Sequence, residues 1–207
     1  MGCFGSSDPN AKLIQEACRG KTEEQKKVIE YFVKQEGCFS KNMTSDEYLA
    51  LVAKKKDSMN FRSIAINKIG LDEDEINEIP PVKFEGFVFK NAYSKSLPSG
   101  NYISSSYQVA WLFFSSTQVY IYRHTFNMDD SKKNESTDEF FYKDVTSFST
   151  STQTETSRNV AGQSIEVPTN KFCMVVPGDK LYVSMDGVED AESIVQAMKQ
   201  KLREKKS

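Results

Sequence analysis

His124 is the only histidine in this chain of 207 residues, and imidazole is the side chain best suited to act as a general base near neutral pH. A catalytic histidine needs a nucleophile beside it and an acid that orients its ring. Asp138 and Asp144 could supply the acid, but nothing in the sequence places either of them beside His124. We interpret His124 as a hydrogen-bonded or solvent-facing residue at the end of a strand.

The other reactive groups do not form a recognisable catalytic or metal motif. The sequence has neither a phosphate-binding glycine loop nor a GxSxG nucleophile motif. The cysteines form no CxxC pair, and with one histidine they lack the usual spacing of a zinc site; they are Cys3, Cys18, Cys38 and Cys173. We therefore predict a protein that is not an enzyme, binds no cofactor or metal and carries reduced thiols, as is typical of the cytoplasm.

The first residues match a lipidation pattern. Met1 to Ser6 fit the M-G-x-x-x-[ST] signal for myristoylation at Gly2, and Cys3 could carry a second acyl chain. Two lipids would hold a protein at a membrane, whereas one gives only reversible binding. The alternative, which we favour, is a flexible glycine-rich start without modification.

Composition excludes several classes of function. Hydrophobic residues make up 38% and charged residues 27%, as in an ordinary globular protein. The net charge of -2 and the absence of a basic stripe argue against a nucleic-acid partner. No apolar run approaches the roughly 20 residues of a membrane span, and no secretory signal is found at the start. We expect a cytoplasmic location.

Residues 1–70 have the pattern of four short helices. They carry 12 basic against 9 acidic residues, whereas the remainder carries 15 against 20. Thr22 with Gln25, and Thr44 with Glu47, have the spacing of capping boxes. The predicted N-caps are Asp8, Thr22, Thr44 and Ser58, and the predicted glycine stops are Gly20, Gly37 and Gly70. Each helix is only half apolar, so each needs a partner to bury its apolar face.

Residues 71–81 form an acidic, proline-containing boundary. Asp72 to Glu75 could bind calcium, but the glycine that an EF-hand loop needs at its sixth position is missing. Four acids at the start of a short helix are the better explanation, because they oppose the helix dipole. Pro80 and Pro81 then force extended backbone and end the helical part.

The stretch from Tyr107 to Asn127 predicts the central hairpin of an antiparallel sheet, with its turn at Ser115 to Thr117. Side chains alternate along a strand, so the first strand presents two opposite faces. One face carries Val109, Trp111 and Phe113, and the other carries Ala110, Leu112 and Phe114. Because both faces are apolar, we expect this strand to be covered on both sides.

The rest of the chain reads as further strands and one helix. Asn91 to Gly100 and Met128 to Ser136 are predicted to be loops. A second hairpin turns at Pro177 to Asp179, and the total is about seven strands. Val188 to Lys206 has a helical stripe, which consists of Ala191, Ile194, Val195, Met198 and Leu202.

Strands followed by one amphipathic helix resemble the pleckstrin-homology superfold. The phrases IPPVKFEGF, SSSYQVAWLFFSSTQVYIYRHTF and EFFYKDVTSFSTS are similar to the bacterial pleckstrin-homology-like family over about residues 80–205. The resemblance implies an α+β chain in which a seven-stranded, bent antiparallel sheet or partly open barrel, residues 82–207, is capped by the last helix. A helix laid across an open end buries apolar surface worth roughly 25 cal/mol per Å².

The resemblance also implies a binding or assembly module. Phosphoinositide-binding relatives use clustered basic residues in the first interstrand loop, where this chain has Lys90 and Lys95 and no arginine. Our first hypothesis is a noncatalytic intracellular module that binds a protein partner or a second copy, for which an open sheet edge offers a physical means. The alternative is a peripheral membrane adaptor, held by acylation at Gly2 and Cys3 or by headgroup contacts of Lys90 and Lys95.

Overall fold

The computed structural model describes residues 10–34, 42–72, 79–159 and 162–206. The described helices are α1 Ala11–Ala17, α2 Glu23–Val33, α3 Ser45–Asp57, α4 Phe61–Ile69 and α5 Ala191–Lys206. The described strands are β1 Ile79–Val88, β2 Ser94–Ser96, β3 Tyr102–Ser104, β4 Ser106–Phe114, β5 Gln118–Asn127, β6 Lys133–Phe141, β7 Ser147–Arg158, β8 Ser164–Val176 and β9 Asp179–Ser184. The α+β class is confirmed, with nine described strands where about seven were expected.

Capping explains where three of the helices begin and end. The reciprocal hydrogen bonds of a capping box are present at Thr22 and at Thr44, as predicted. The cap predicted at Ser58 is wrong, because Asn60 Oδ1 accepts from the N–H of Ser63 (3.3 Å) and starts α4 two residues later. Gly70 ends α4 with a φ of 76°, as predicted. The predicted cap at Asp8, the stop at Gly37 and most of the acidic short helix lie outside the described residues.

The first sheet has the antiparallel order β1-β4-β5-β6. Its centre is the predicted hairpin, in which Ser115 Oγ closes the turn by accepting from the N–H of Gln118 (3.1 Å). Two predicted loops are shorter than expected. In the loop predicted at Asn91 to Gly100, Ser94–Ser96 form strand β2 of the β2–β3 hairpin. In the loop predicted at Met128 to Ser136, strand β6 already begins at Lys133.

The two apolar faces of β4 are both covered, as predicted. Val109 and Phe113 belong to one buried cluster with residues of α2, α3 and α4. Ala110, Leu112 and Phe114 belong to a second cluster with residues of β7, β8, β9 and α5. The first sheet is therefore a central layer between the N-terminal helices and the second sheet.

Polar contacts also attach the helices to the first sheet. Tyr48 is fully buried, and its hydroxyl donates to the carbonyl oxygen of Ser104 (2.5 Å). Lys56 Nζ lies 3.0 Å from the carboxylate of Glu85 on β1. The predicted boundary at 71–81 overlaps β1, which begins at Ile79; the register of β1 against β4 is irregular from Ile79 to Val82, where two prolines cannot donate ladder hydrogen bonds.

The second sheet has the antiparallel order β7-β8-β9, and α5 packs on β7. Helix α5 begins at Ala191, three residues after the predicted start at Val188. The predicted stripe is confirmed: Ala191, Val195, Met198 and Leu202 are buried, and Ile194 is partly buried against the same cluster.

The two sheets meet where β1 crosses the end of β9. Ser184 Oγ donates to the carbonyl oxygen of Phe87 (3.1 Å), and the N–H of Gly187 donates to the carbonyl oxygen of Glu85 (2.9 Å). Gly86 allows this approach, since a Cβ there would overlap Ser184 Oγ and lie 3.1 Å from the backbone nitrogen of Asp186. On the opposite side β6 and β7 are not paired, so the described strands do not form a closed barrel.

Candidate functional site at the β7 edge

The predicted catalytic candidates do not converge. His124 belongs to β5 and is 2% exposed, with its ring centre 5.2 Å from that of Phe61 on α4. Its Nδ1 lies 3.2 Å from the hydroxyl of Tyr122. Its nearest acid is Glu135, which sequence reasoning missed, at 3.8 Å. Asp138 instead pairs with Arg123 (2.8 Å), and Asp144 lies in a short 3-10 helix after β6. Burial lowers the pKa of His124, although the charge of Glu135 opposes this effect.

The candidate headgroup lysines have different surroundings. Lys95 Nζ lies 4.8 Å from the ring centre of Tyr31, so it makes a cation–π contact with a residue of α2. Lys90 is exposed in the loop after β1, where its backbone N–H lies 3.3 Å from the carboxylate of Glu155. Gly2 and Cys3, the candidate acylation residues, lie outside the described residues.

The feature with the clearest binding capacity is the outer edge of β7. This strand of 12 residues pairs with β8 from Ser147 to Arg158. Its other edge is bridged to Tyr93 at Arg158, and no described strand pairs with the rest of it. Eight of its residues are serine or threonine, and β-branched threonine favours extended backbone. Unpaired N–H and C=O groups along such an edge can accept a strand from another chain.

The N–H and C=O groups that face outward can be assigned from one contact. The N–H of Arg158 donates away from β8, to the carbonyl oxygen of Ala92 (2.9 Å). In an antiparallel strand the direction of these groups alternates from residue to residue, and the register with β8 is unbroken. The residues in phase with Arg158 therefore present their backbone groups to solvent; they are Thr150, Thr152, Thr154 and Thr156, whose side chains are exposed.

The two open edges differ in how they are protected. Strand β6 carries four charged residues in nine, which is how proteins discourage pairing at an edge: Lys133, Glu135, Asp138 and Glu139. Strand β7 carries only Glu155 and Arg158. The Glu155 charge is already engaged, with Lys171 Nζ at 2.8 Å and the N–H of Phe89 at 2.7 Å. Strand β7 therefore has fewer charged side chains than β6 to oppose a partner strand.

A cleft of about 980 Å³ adjoins the middle of this edge. Its walls are the end of β1, the β2–β3 hairpin, the exposed part of the β7–β8 hairpin and the segment that leads into α5. Thr150 and Thr152 of β7 belong to both the edge and the cleft. A strand added at β7 would therefore place alternate side chains in the cleft.

The charged side chains that line the cleft are all acidic. They are Asp186, Asp190 and Glu192, and the described lining includes no lysine or arginine. Burial raises the pKa of Asp186, although the hydrogen bond from the N–H of Asn170 (3.1 Å) works in the opposite direction. Asp190 has a φ of 53°, which is uncommon for a residue other than glycine, and its carbonyl oxygen accepts the first α5 hydrogen bond from Ile194.

Comparison of the chain with protein-family models, with curated proteins and with solved structures found no match in any of the three. Within the part of the chain that the structure describes, no group of histidine, cysteine and acidic side chains has the arrangement of a metal site. No described helix is both long enough and apolar enough to span a membrane.

The sequence predicted further strands in this part of the chain but did not identify β7 as a site. Its status as an open edge depends on which strands are neighbours, and that information is not local. The only local signal was composition. Edge strands usually carry charged residues that discourage pairing, whereas β7 consists mostly of serine and threonine and carries few charges.

Proposed function

We propose that this chain is a noncatalytic interaction module that binds a protein partner by adding an extended segment of that partner to β7. The observation that carries the proposal is the open edge of β7, which exposes the backbone groups of Thr150, Thr152, Thr154 and Thr156 beside a cleft. Main-chain hydrogen bonds in such a complex supply affinity, and side-chain pockets supply specificity.

We also propose that residues 82–207 adopt a pleckstrin-homology-like fold. The support is the order of elements. Without the short β2–β3 hairpin, seven strands remain, as four in one sheet and three in the next, and the last helix follows them. This order is the one that the sequence resemblance implies, and the function is argued from the β7 edge and not from the fold.

The proposal is tested by a substitution that changes the edge without changing the sheet. Peptides that bind the full chain would be selected from a random display library and titrated by fluorescence anisotropy. Thr152→Pro removes an outward N–H but no backbone hydrogen bond to β8, so it should abolish binding and leave the folded state intact. It also removes the hydrogen bond from the Thr152 hydroxyl to Asn170 Oδ1 (3.1 Å), which the control variant Thr152→Val lacks as well. Thr152→Val keeps the N–H and the β-branched shape, and it should bind as the original chain does.

Hydrogen exchange gives an independent measure of the same contact. A bound strand should slow exchange of the amides of Thr150, Thr152, Thr154 and Thr156, because each would donate to the peptide. A Thr152→Pro chain that is folded by circular dichroism and still binds the selected peptides would refute strand addition at β7.

A further inference from the structure

We propose that the segment accepted by β7 is basic, with lysine or arginine at the two positions opposite Thr150 and Thr152. This inference rests on the proposed function, since it assumes that the partner adds to β7 as a strand. It specifies the chemistry of the partner, which the open edge alone does not.

The geometry determines which side chains of the partner enter the cleft. Directly opposite residues in neighbouring strands place their side chains on the same face of the sheet. Thr150 and Thr152 line the cleft, so the residues opposite them point into it as well. These two partner residues are two positions apart and roughly 6.6 Å from each other along the strand.

The negative charge of the cleft favours positively charged partner side chains at those two positions. Three acidic residues line the cleft, Asp186, Asp190 and Glu192, and the described lining includes no lysine or arginine. The charge of Lys171 also acts on Asp186, but Lys171 is already paired with Glu155 (2.8 Å). The N-terminus of α5 contributes about half a positive charge, which is less than the three carboxylates supply. A cationic side chain in the cleft would be attracted by the surplus, whereas an anionic side chain would be repelled.

The helix alone does not explain these acids. Glu192 lies in the first turn of α5, where an acid opposes the helix dipole. Asp186 lies five residues before the helix, and it accepts a hydrogen bond from Asn170 of β8. Asp186 is exposed and lines the cleft, so a cationic side chain of the partner that enters the cleft can pair with it.

A second copy of this chain fits the cleft less well than a basic partner does. Antiparallel pairing of two β7 strands would place mostly serine and threonine opposite Thr150 and Thr152, because β7 has one basic residue, Arg158, at its end. Such a dimer would leave the carboxylates of both clefts without a counter-charge.

Three synthetic peptides of one length test the proposal: TKTKTKTKT, TQTQTQTQT and TETETETET, each with a fluorophore and blocked ends. They would be titrated against the full chain at physiological ionic strength by fluorescence anisotropy. The lysine peptide should bind about tenfold more tightly than the glutamine peptide, and the glutamate peptide should bind least.

Charge-neutral variants locate the preference. The triple variant D186N/D190N/E192Q keeps side-chain shape and the acceptor for Asn170, and it should bind the lysine and glutamine peptides equally. The matched control E16Q/E30Q/D57N removes three exposed acids outside the cleft and should keep the preference. If the control loses the preference as the triple variant does, the attraction is general and the proposal is overturned.

The remaining outcomes separate this inference from the proposed function. Equal binding of all three peptides, abolished by Thr152→Pro, would support strand addition and overturn the basic partner. Binding of the lysine peptide that survives Thr152→Pro would overturn both, as would no binding of any peptide. Concentration-dependent dimerisation that Thr152→Pro abolishes, without a preference for the lysine peptide, would identify a second copy as the occupant.

Discussion

The hydroxyl of Tyr122 fixes the tautomer of His124. Tyr122 donates its single proton to Glu135 Oε1 (2.7 Å), so at its other contact, 3.2 Å from His124 Nδ1, it accepts. Nδ1 therefore carries the imidazole hydrogen and Nε2 carries the lone pair. His124 Nε2 is buried and has no hydrogen-bond partner among the described residues. Protonation would place a charged donor there without an acceptor, next to the ring of Phe61 on α4.

Acidification should therefore weaken the fold in the range where histidine titrates. The charged groups that face His124 are Glu135 and Lys133 on β6 and Lys68 on α4, and burial is the largest influence on its pKa, which is lowered. Since the folded state resists protonation, the unfolded chain binds more protons just below the ordinary value of 6.5. The stabilising contribution of neutral His124 should be fully present above that pH. As the pH drops towards the folded-state pKa, the free energy of unfolding should fall by at most about 1.4 kcal/mol per pH unit.

Urea unfolding of the original chain and of His124→Asn at a series of pH values from about 7.5 to 5 checks this prediction. Asparagine can donate to Tyr122 from a similar position but does not titrate, so its stability should change less over this range. The pKa of Glu135 is lowered by its hydrogen bonds from Lys68 and Tyr122, so its own loss of stability occurs at lower pH, as it becomes protonated. Parallel curves for the two proteins would contradict the role assigned to His124.

Much of this fold follows from short-range patterns in the sequence. The capping boxes at Thr22 and Thr44 are set by hydrogen bonds between residues three apart, so they can be read from the sequence directly. The two apolar faces of β4 predicted a strand covered on both sides. The pattern did not say what covers each face, and the structure shows that α2 to α4 cover one of them.

The parts that could not be predicted depend on contacts between distant residues. Strands β2 and β3 have three residues each, too few for an alternating pattern to be visible. Glu135 was assigned to a loop, so its approach to His124 across the β5–β6 ladder could not be foreseen. The β7 edge is a candidate site because no described strand covers it, and only the order of the strands reveals that.

Removal of the Tyr48 hydroxyl should loosen the helices from the sheet. This hydroxyl donates to the carbonyl oxygen of Ser104 in a fully buried contact, so Tyr48→Phe leaves a buried acceptor without this donor. The free energy of unfolding should fall by about 1–2 kcal/mol. Tyr31→Phe is the control, because its hydroxyl contacts Ser45 in a less buried place and its loss should cost about 0.5 kcal/mol. Equal effects in urea unfolding would contradict this assignment.

The pair of Lys56 and Glu85 should also contribute to attachment of α3. Glu85 is 7% exposed, and its two carboxylate oxygens lie 3.0 Å from Lys56 Nζ and 3.2 Å from Lys83 Nζ. Lys56→Met removes one counter-charge and leaves the other, so we expect a loss of about 1–2 kcal/mol. In Lys56→Met/Glu85→Gln the buried charge is absent, and part of that loss should be recovered. A double variant whose loss equals the sum of the two single losses would show that the pair is not coupled.

Gly86→Ala should separate the two sheets at the place where β1 crosses β9. The added Cβ would overlap Ser184 Oγ and approach the backbone nitrogen of Asp186 to 3.1 Å, so one strand must shift, at a cost of about 1–3 kcal/mol. Ser184→Ala removes the nearest atom but also the hydrogen bond to the Phe87 carbonyl oxygen. If the overlap with Ser184 Oγ is the main cost, the double variant should be less destabilised than the two single losses added together, in thermal or urea unfolding. Additive losses would mean that the backbone of Asp186, and not Ser184, limits the approach of the two strands.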